Sequence, residues 1–350
     1  MARTTRGAVS LITMLVALVI TAPRVPGFAQ NAARGDQPTP SGAVMGIGPY
    51  LHLVADLDRS LEFYQAVLGS EPTGTAEARA WGRNEPVAVM YGAPGAEVRT
   101  ATLPVPGSEM PVELVAFRGV ARRRVEPRIY DPGATLLLLF VRDIGTAMNA
   151  VRAHGGSILT PSGEPVVVRD RNRFIIVRDP DGFFVELLQT DPPPAGASAG
   201  NVVTGRFRTT AVNADQTVRF YRDTLGFPLP DVRPFGDDAV LGGMTGLGIA
   251  RTRMAIGGIP GSSVVFEVLE FNQVERTRSR FDIHGLGTSM LRLRVGDIDA
   301  VFAKIKAAGG TPVTPQPVTL KDNRRMVIVE DLDGLFVQLW QVAPGQPRTP

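Results

Sequence analysis

The chain has 350 residues, of which 44% are hydrophobic and 20% are charged, and this is enough for two domains that each bury a core. Disorder is therefore excluded as the main interpretation. The sequence contains no cysteine, so neither a disulfide framework nor a lipid-modified cysteine is expected.

The N-terminal segment has the features of a secretory signal peptide. Arg3 and Arg6 precede an apolar run over residues 8–22, and prolines and small residues follow it up to Ala29. We predict a signal peptide over residues 1–29 and export to the periplasm or the extracellular space. The alternative is a membrane anchor, but a run of about 15 residues is shorter than the roughly 20 that a spanning helix needs.

The mature chain is expected to carry a net charge near zero. Removal of residues 1–29 takes away three arginines and no acid, which lowers the 37 basic residues to the number of acidic residues, 34. This balance does not favour a nucleic-acid surface. We expect a small-molecule ligand as the partner, with no nucleic acid and no membrane contact after signal removal.

Long segments of the remaining chain repeat one another. Residues 56–69 (DLDRSLEFYQAVLG) return as residues 213–226 (NADQTVRFYRDTLG), and residues 178–189 (RDPDGFFVELLQ) return as residues 330–341 (EDLDGLFVQLWQ). A stretch rich in Pro, Gly and Ala separates the copies. We therefore predict a flexible lead-in, a first domain, a linker, a second domain and a tail, at residues 30–45, 46–191, 192–202, 203–343 and 344–350.

Each copy contains the same local pattern twice. A short apolar strand leads to Asp or Asn, an amphipathic helix of about ten residues ends near a glycine, and three more strands follow between turn residues. The helices are expected at about residues 58–68, 144–154, 214–225 and 298–308. The predicted fold class is α+β, with four βαβββ units.

The opening LHLVADLDRSLEFYQAVLG (residues 51–69) and the closing RFIIVRDPDGFFVELLQ (residues 173–189) resemble the vicinal oxygen chelate superfamily, which includes glyoxalase I, bleomycin and fosfomycin resistance proteins and extradiol dioxygenases. The resemblance covers nearly all of residues 46–190 and 203–342. It implies two glyoxalase-like domains, each with a cleft between curved mixed sheets, and it does not specify a reaction. In this family His, Gln or Glu on the first and last strands of each unit hold a divalent ion, for which Mn, Fe, Ni and Zn are the candidates here.

Transfer of the family's metal positions to the first copy gives Pro49, Glu113, Leu136 and Glu186. We predict that Glu113 and Glu186 face each other across one cleft, as metal ligands or as catalytic acid and base. Their charge could be balanced by a metal ion, by arginines of the loop 121–128, by raised pKa values or by water in the cleft. His52 is expected to point to the opposite face of its strand as a packed or hydrogen-bonded residue.

Transfer to the second copy gives Arg206, Glu267, Met290 and Gln338. Arginine has no acceptor atom and methionine suits hard divalent ions poorly, so this copy departs from a metal set. Strand alternation places Arg208 on the same strand face as Arg206, and Arg292 on the same strand face as Met290. We predict either a site for a small anion or an internal salt-bridge network, formed by Arg206, Arg208, Glu267, Arg292 and Gln338.

Three kinds of function remain open from the sequence. The first is an enzyme with metal-dependent lyase, isomerase or dioxygenase-like chemistry on a small oxygenated molecule in the first domain. The second is a non-catalytic binding protein of the resistance type with degenerate metal sites. The third is a structural protein that presents loops to a partner. The metal content of the purified protein distinguishes the first kind of function from the second.

Overall fold

The computed structural model describes residues 44–74, 80–194, 198–320 and 322–342. The predicted signal peptide, nearly all of the lead-in and the tail lie outside these residues. The N-terminal half of the described chain forms strands β1 to β9 and helices α1 to α3, in the order β1 (Val44–Leu53), α1 (Leu57–Leu68), β2 (Gly82–Arg83), α2 (Glu85–Met90), β3 (Glu97–Leu103), β4 (Val112–Arg118), β5 (Thr135–Val141), α3 (Ile144–Ala153), β6 (Ser157–Ile158), β7 (Val166–Val168), β8 (Asn172–Arg178) and β9 (Phe184–Gln189).

The C-terminal half repeats this order. Its first helix continues into a π-helical turn over Phe220–Thr224. The elements are β10 (Val202–Thr210), α4 (Ala214–Arg219), β11 (Gly236–Asp238), α5 (Ala239–Thr245), β12 (Ala250–Gly258), β13 (Val265–Asn272), β14 (Ser289–Val295), α6 (Ile298–Ala307), β15 (Thr311–Pro312), β16 (Val318–Thr319), β17 (Arg325–Glu330) and β18 (Phe336–Gln341). The four βαβββ units and their helices are thus confirmed, and the short helices α2 and α5 are additions that the sequence pattern did not predict.

The main helix of each unit begins directly after a capping side chain at the end of the first strand. The carboxylate of Asp56 accepts hydrogen bonds from the backbone N–H groups of Asp58 and Arg59. At the three equivalent positions, Asp143, Asn213 and Asp297 each cap the helix that follows. These side chains satisfy N–H groups that the first turn of a helix leaves without a partner. The repeated Asp or Asn is therefore the local reason why each helix starts where it does.

Two sheets of nine strands each are formed, and each sheet combines one unit from either half of the chain. Sheet 1 has the order β15-β17-β18-β14-β1-β4-β3-β2, with β16 as the ninth strand paired to β17. Sheet 2 has the order β11-β12-β13-β10-β5-β9-β8-β6, with β7 as the ninth strand paired to β8. At the centre of sheet 1, β1 pairs antiparallel with β14, and at the centre of sheet 2, β10 pairs antiparallel with β5. Units 1 and 4 therefore share sheet 1, and units 2 and 3 share sheet 2.

This partnering differs from our expectation that consecutive units share a cleft. The predicted linker connects β9 to β10, which both belong to sheet 2. The loop after β4, by contrast, leads from sheet 1 into sheet 2. The linker therefore separates two sequence repeats and does not separate the two sheets.

The helices and one face of each sheet enclose a shared core. Tyr50 of β1 lies in this core and its ring stands 4.8 Å from that of Phe207 of β10, so the core is continuous between the sheets. Leu51, the next residue of β1, points to the other face and joins a separate apolar cluster. We call that face of sheet 1 cleft 1, and the corresponding face of sheet 2, which carries Leu136 and Phe184, cleft 2.

Candidate functional site

The two glutamates predicted to share a site lie in different sheets. Glu113 is on β4 in sheet 1, and Glu186 is on β9 in sheet 2. The prediction that they face each other across one cleft is therefore wrong. Each of them instead meets an arginine contributed by the unit that completes its sheet, Arg292 for Glu113 and Arg208 for Glu186.

The floor of cleft 1 is an arginine held between a glutamate and a glutamine. The Nη1 and Nη2 atoms of Arg292 donate to the two carboxylate oxygens of Glu113 at 2.9 and 3.2 Å, and its Nε atom donates to Oε1 of Gln338 at 2.6 Å. The side chains of Arg292 and Glu113 are 14% and 15% exposed. This two-pronged geometry is the strongest arrangement for an arginine and a carboxylate. Burial disfavours the charged form of Arg292, but the carboxylate of Glu113 holds the pKa of Arg292 above its usual value.

A glycine makes room for this arginine. A Cβ atom at Gly48 would lie 2.9 Å from Cδ of Arg292, closer than carbon atoms approach without a shift of one of them. Gly48 belongs to β1, next to Pro49, where the β1 register is interrupted between Ile47 and Tyr50. The absent side chain on one central strand thus leaves the space that the long side chain from the other central strand fills.

Tyr91 stands beside this group. Its hydroxyl lies 3.5 Å from Nε2 of Gln338, and the residue is 2% exposed. Burial raises the pKa of Tyr91 to about 12 even though the charge of Arg292 acts in the opposite direction. The phenol is therefore protonated at neutral pH and available as a donor at the cleft floor.

Above the floor lies a cavity of about 400 Å³. Its floor includes Glu113, Arg292, Gln338 and Tyr91, and Thr100 contributes to its lining. The other polar or small residues around the cavity are Gly82, Arg83, Asn84 and Arg324. Its walls are formed by six apolar side chains, Val87, Met90, Val98, Val115, Leu320 and Met326. The size and the combination of apolar walls with convergent polar groups are typical of a small-molecule site.

Cleft 2 holds a denser version of the same charge arrangement. Arg208 donates through Nε to Glu267 at 2.9 Å and through Nη1 to Glu186. Arg206 approaches Glu267 at 3.5 Å and stacks over the ring of Phe140 at 4.6 Å. Burial raises the pKa of Glu186 despite the charge of Arg208, and the two carboxylates hold the pKa of Arg208 above its usual value despite burial.

Side chains of α5 pack into the apolar cluster of cleft 2. Leu241 and Met244 are 4% and 1% exposed, and they belong to the same apolar cluster as Leu136, Phe184 and Leu269. The side chain of Arg208 is 7% exposed and that of Glu186 is 3% exposed. Arg208, Glu186 and Glu267 are therefore enclosed, whereas the side chain of Arg206 is 30% exposed. The cavity above the floor of cleft 1 makes that cleft the candidate ligand site.

The predicted ligand-binding residues consequently divide between the clefts. Arg292 and Gln338 meet Glu113 in cleft 1, while Arg206, Arg208 and Glu267 meet Glu186 in cleft 2. Each group is balanced in charge, with one arginine and one glutamate in cleft 1 and two of each in cleft 2. This balance is consistent with Gln338 at the position where the other copy has Glu186, because a second carboxylate in cleft 1 would exceed the single positive charge of Arg292.

Among the residues that the structure describes, neither cleft offers a set that fits a divalent metal ion. Cleft 1 carries Pro49, Glu113, Met290 and Gln338 at the family's metal positions, and cleft 2 carries Leu136, Glu186, Arg206 and Glu267. The carboxylates and the amide oxygen among these residues already accept hydrogen bonds from a guanidinium group. An ion at either place would have to displace a permanent positive charge.

A third group of metal-ligand type lies in the shared core. His52, Asp179 and Asp181 are buried and place one ligand atom each within 4.8 Å of one another. Nε2 of His52 lies 2.8 Å from Oδ2 of Asp179, which also accepts from the hydroxyl of Tyr64 at 3.1 Å. His52 is thus on the core side of β1, as its alternation predicted. The role of Asp179 and Asp181 was missed, although the repeated DPDG and DLDG motifs pointed to them.

The hydrogen bonds of this group show what it does in the fold. Oδ1 of Asp179 accepts from two N–H groups of its own loop, and the oxygens of Asp181 accept from Ser60 at 2.6 Å, from Arg59 at 3.0 Å and from the N–H of Ala55 at 3.0 Å. All four carboxylate oxygens therefore have donors. We call residues 179–182 the first Asp loop. It ties unit 2 to the start of α1 in unit 1, and with its oxygens occupied we interpret it as a structural junction.

The second Asp loop, residues 331–334, makes the same junction between units 4 and 3. Asp331 accepts from the hydroxyl of Tyr221 at 2.7 Å, and Asp333 accepts from Thr217 at 2.6 Å and from the N–H of Val212 at 2.7 Å. The first loop has His52 and Arg59 as side-chain partners. At the equivalent repeat positions the second loop has Thr209 and Gln216, which carry no charge.

Comparison with known proteins places this fold in a family. The chain matches the profile of the Glyoxalase/Bleomycin resistance protein/Dioxygenase superfamily over residues 46–187 and 205–339. The protein therefore belongs to this superfamily. No helix among the described residues has the length and apolarity needed to cross a bilayer.

Its similarity to individual members is modest. It is 27% identical over 186 residues to lactoylglutathione lyase GLX1 of Arabidopsis thaliana, a match that covers 51% of this chain and 55% of that protein. It is 27% identical over 157 residues to a probable lactoylglutathione lyase of Vibrio parahaemolyticus, covering 43% of this chain and 98% of the relative. The chain thus spans about half the length of the Arabidopsis relative. Glyoxalase I of Zea mays superposes with a TM-score of 0.55 at 17% identity, covering 85% of this chain and 92% of that structure, and this supports the fold alone.

Proposed function

We propose that this protein binds a small oxygenated molecule in cleft 1 without a metal ion, as a non-catalytic member of its superfamily. The observation that carries the proposal is the position of Arg292. Its guanidinium group lies between Glu113 and Gln338, the two residues with oxygen ligand atoms at the family's metal positions in cleft 1, and a cavity of about 400 Å³ opens above it. The fixed positive charge stands where a metal-dependent relative would need its ion.

The names of the relatives suggest the competing function. Two relatives are described as lactoylglutathione lyases, one of them as a probable one. The metal-dependent lyase interpretation relied on Glu113 and Glu186 in one site, and these residues lie in different sheets. Metal-free binding is therefore the better-supported function.

Ligand titration with a cavity-filling variant tests the proposal. The mature protein, dialysed against buffer, is expected to contain no stoichiometric Mn, Fe, Ni or Zn by elemental analysis. Small oxygenated aromatic compounds are expected to change its intrinsic fluorescence, because Trp81 precedes Gly82 at the cavity and Trp340 belongs to the cleft-1 cluster. Val87→Trp should abolish this binding by filling the cavity. The matched control Leu241→Trp, at the equivalent position of cleft 2, should leave it intact when both variants retain the wild-type circular dichroism.

Two results would contradict the proposal. One is a metal ion bound at one per chain that is lost on Arg292→Ala or Glu113→Gln substitution. The other is metal-dependent lactoylglutathione lyase activity in the dialysed and reconstituted protein. Ligand binding that survives Val87→Trp unchanged would show that cleft 1 is not the site.

We also propose that the protein is exported, on the basis of residues 1–29. In a bacterial host, cell fractionation followed by N-terminal sequencing is expected to find a chain that starts at Gln30 outside the cytoplasm. Leu15→Arg interrupts the apolar run and should leave the full-length chain inside the cell. Cytoplasmic wild-type protein that retains its first residues would refute the proposal.

A further inference from the structure

The openings of the two clefts differ in charge. β2 and β11 are equivalent strands, and they carry Arg83 and Asp237 at the same repeat position. The residues opposite them on the neighbouring strands also have opposite charges. Arg83 pairs with Glu97, while Asp237 pairs with Arg251. The opening of cleft 1 therefore has a cation where that of cleft 2 has an anion.

A second arginine lies at the same cavity. Arg324 lines it from the turn before β17, and the equivalent residue of cleft 2 is Asn172. Its side chain is 42% exposed and bonds to the exposed Asp322 at 2.6 Å. Arg83 is exposed and forms no ion pair with any residue that the structure describes, and the carboxylate of Glu97 opposite it is engaged by Arg118. Both guanidinium groups thus remain accessible to a ligand.

The deeper part of the cavity contributes no net charge. Arg292 and Glu113 neutralise each other on the floor, and Gln338 and Tyr91 are neutral. The walls are apolar. A ligand that fits this distribution has an apolar body and a negative group at one end, because guanidinium groups recognise carboxylate, sulfonate and phosphate oxygens through charge-assisted hydrogen bonds.

We infer that the ligand of cleft 1 is an amphiphilic anion, whose apolar body packs against Val98, Val115 and Met326 and whose anionic group pairs with Arg83 and Arg324. This inference rests on the proposed function and specifies its ligand class. It predicts that the charge at the cavity opening determines which ligands bind, while the apolar walls accommodate ligands whose apolar parts differ in shape.

Two fluorescent probes with the same apolar body test the inference. 8-Anilinonaphthalene-1-sulfonate is anionic, and N-phenyl-1-naphthylamine lacks the sulfonate and is neutral. With the mature protein at low salt, we expect the anionic probe to bind about tenfold more tightly or better, since a charge-assisted contact is worth about one decade in the dissociation constant. Rising ionic strength should shrink this preference, because the arginines are exposed.

Substitutions identify the groups responsible. Arg83→Ser combined with Arg324→Ser should weaken the anionic probe by about tenfold and leave the neutral probe within about twofold. Arg251→Ser in sheet 2 removes a half-buried arginine that does not line the cavity and should change neither probe. Val87→Trp should exclude both probes.

The outcomes separate the two proposals. Equal affinities for the two probes, unchanged by the double arginine substitution, would overturn the anionic ligand class and leave small-molecule binding in place. Absence of binding by both probes, or binding that Val87→Trp does not affect, would overturn this inference together with the proposed function. A preference for the anionic probe that persists in the double variant would show that other residues create it, and would also overturn the inference.

Discussion

Replacement of Arg208 by methionine is expected to lower the free energy of unfolding by about 3–5 kcal/mol at neutral pH, the range found when one partner of a buried charge cluster is removed. Arg208 is the buried cation between Glu186 and Glu267, and methionine has no donor for either carboxylate. Arg206 cannot compensate, because it reaches only Glu267, at 3.5 Å. Urea denaturation followed by circular dichroism measures the loss.

The control removes the charges that Arg208 neutralises. The triple variant Arg208→Met, Glu186→Gln, Glu267→Gln should recover most of the lost stability, since the amides are neutral and keep the shape of the carboxyl groups. The single variant should also lose less stability at pH 5 than at pH 7, because burial favours the protonated form of Glu186. Equal losses in the single and triple variants would show that packing of the arginine, and not its charge, stabilises cleft 2.

The second Asp loop is expected to make stability depend on pH in a direction opposite to that of an ordinary salt bridge. Burial, and then the charge of Asp331, raise the pKa of Asp333 to about 7 from the usual 3.8. The folded state therefore favours the protonated form. This contribution is fully present below about pH 4 and is lost as the pH rises through about 7.

Asp333→Asn should remove this dependence, since the amide resembles the protonated acid. Relative to the variant, the wild type should lose on the order of 2–4 kcal/mol between pH 4 and pH 8, because one pKa unit corresponds to about 1.4 kcal/mol. The groups that face Asp333 are Asp331, Thr217, the N–H of Val212, and Arg278, which is paired with Glu330. Arg278 lowers the pKa only in part, because its Nε atom bonds to the backbone oxygen of Asp333.

The first Asp loop provides a control with the opposite sign at Asp179, which is the repeat counterpart of Asp331. Although burial opposes ionisation, the charge and hydrogen bond of His52 hold the pKa of Asp179 below its usual value. Asp179→Asn should therefore cost stability at neutral pH, and the difference from the wild type should shrink as the pH falls through the acid range. Urea denaturation at a series of pH values measures both variants. Parallel pH profiles for Asp333→Asn and the wild type would refute the account of the second loop.

The positions of the helices and their first residues could be predicted well from the sequence. The residues that determine it are close in the chain, as with Asp56 and the N–H groups of the turn that follows it. Strand alternation also assigned faces correctly, since it separated His52 from Leu51 and placed Glu113 toward a cleft.

The partner of each strand could not be predicted. The four units carry similar opening strands, so nothing in the alternation of β1 distinguishes β5 from β14 as its neighbour. The choice depends on contacts such as Arg292 with Glu113, which are 179 positions apart. The cavity walls were missed for a related reason, because Val87 and Met90 lie on the short helix α2, whose pattern is too brief to recognise. The return of Met90 as Met244 at the equivalent repeat position was the available signal.

The pairing of β1 with β14 also governs when the molecule can be completed. During synthesis, units 2 and 3 can assemble sheet 2 before β14 to β18 have been made, whereas unit 1 has to wait for unit 4. Sheet 1 and the cavity it supports therefore depend on contacts of very high sequence separation, which form slowly because the intervening loop must close first. The proposed ligand site in cleft 1 is therefore the last part of the described fold to be completed, because it requires a chain that has been synthesised as far as β18.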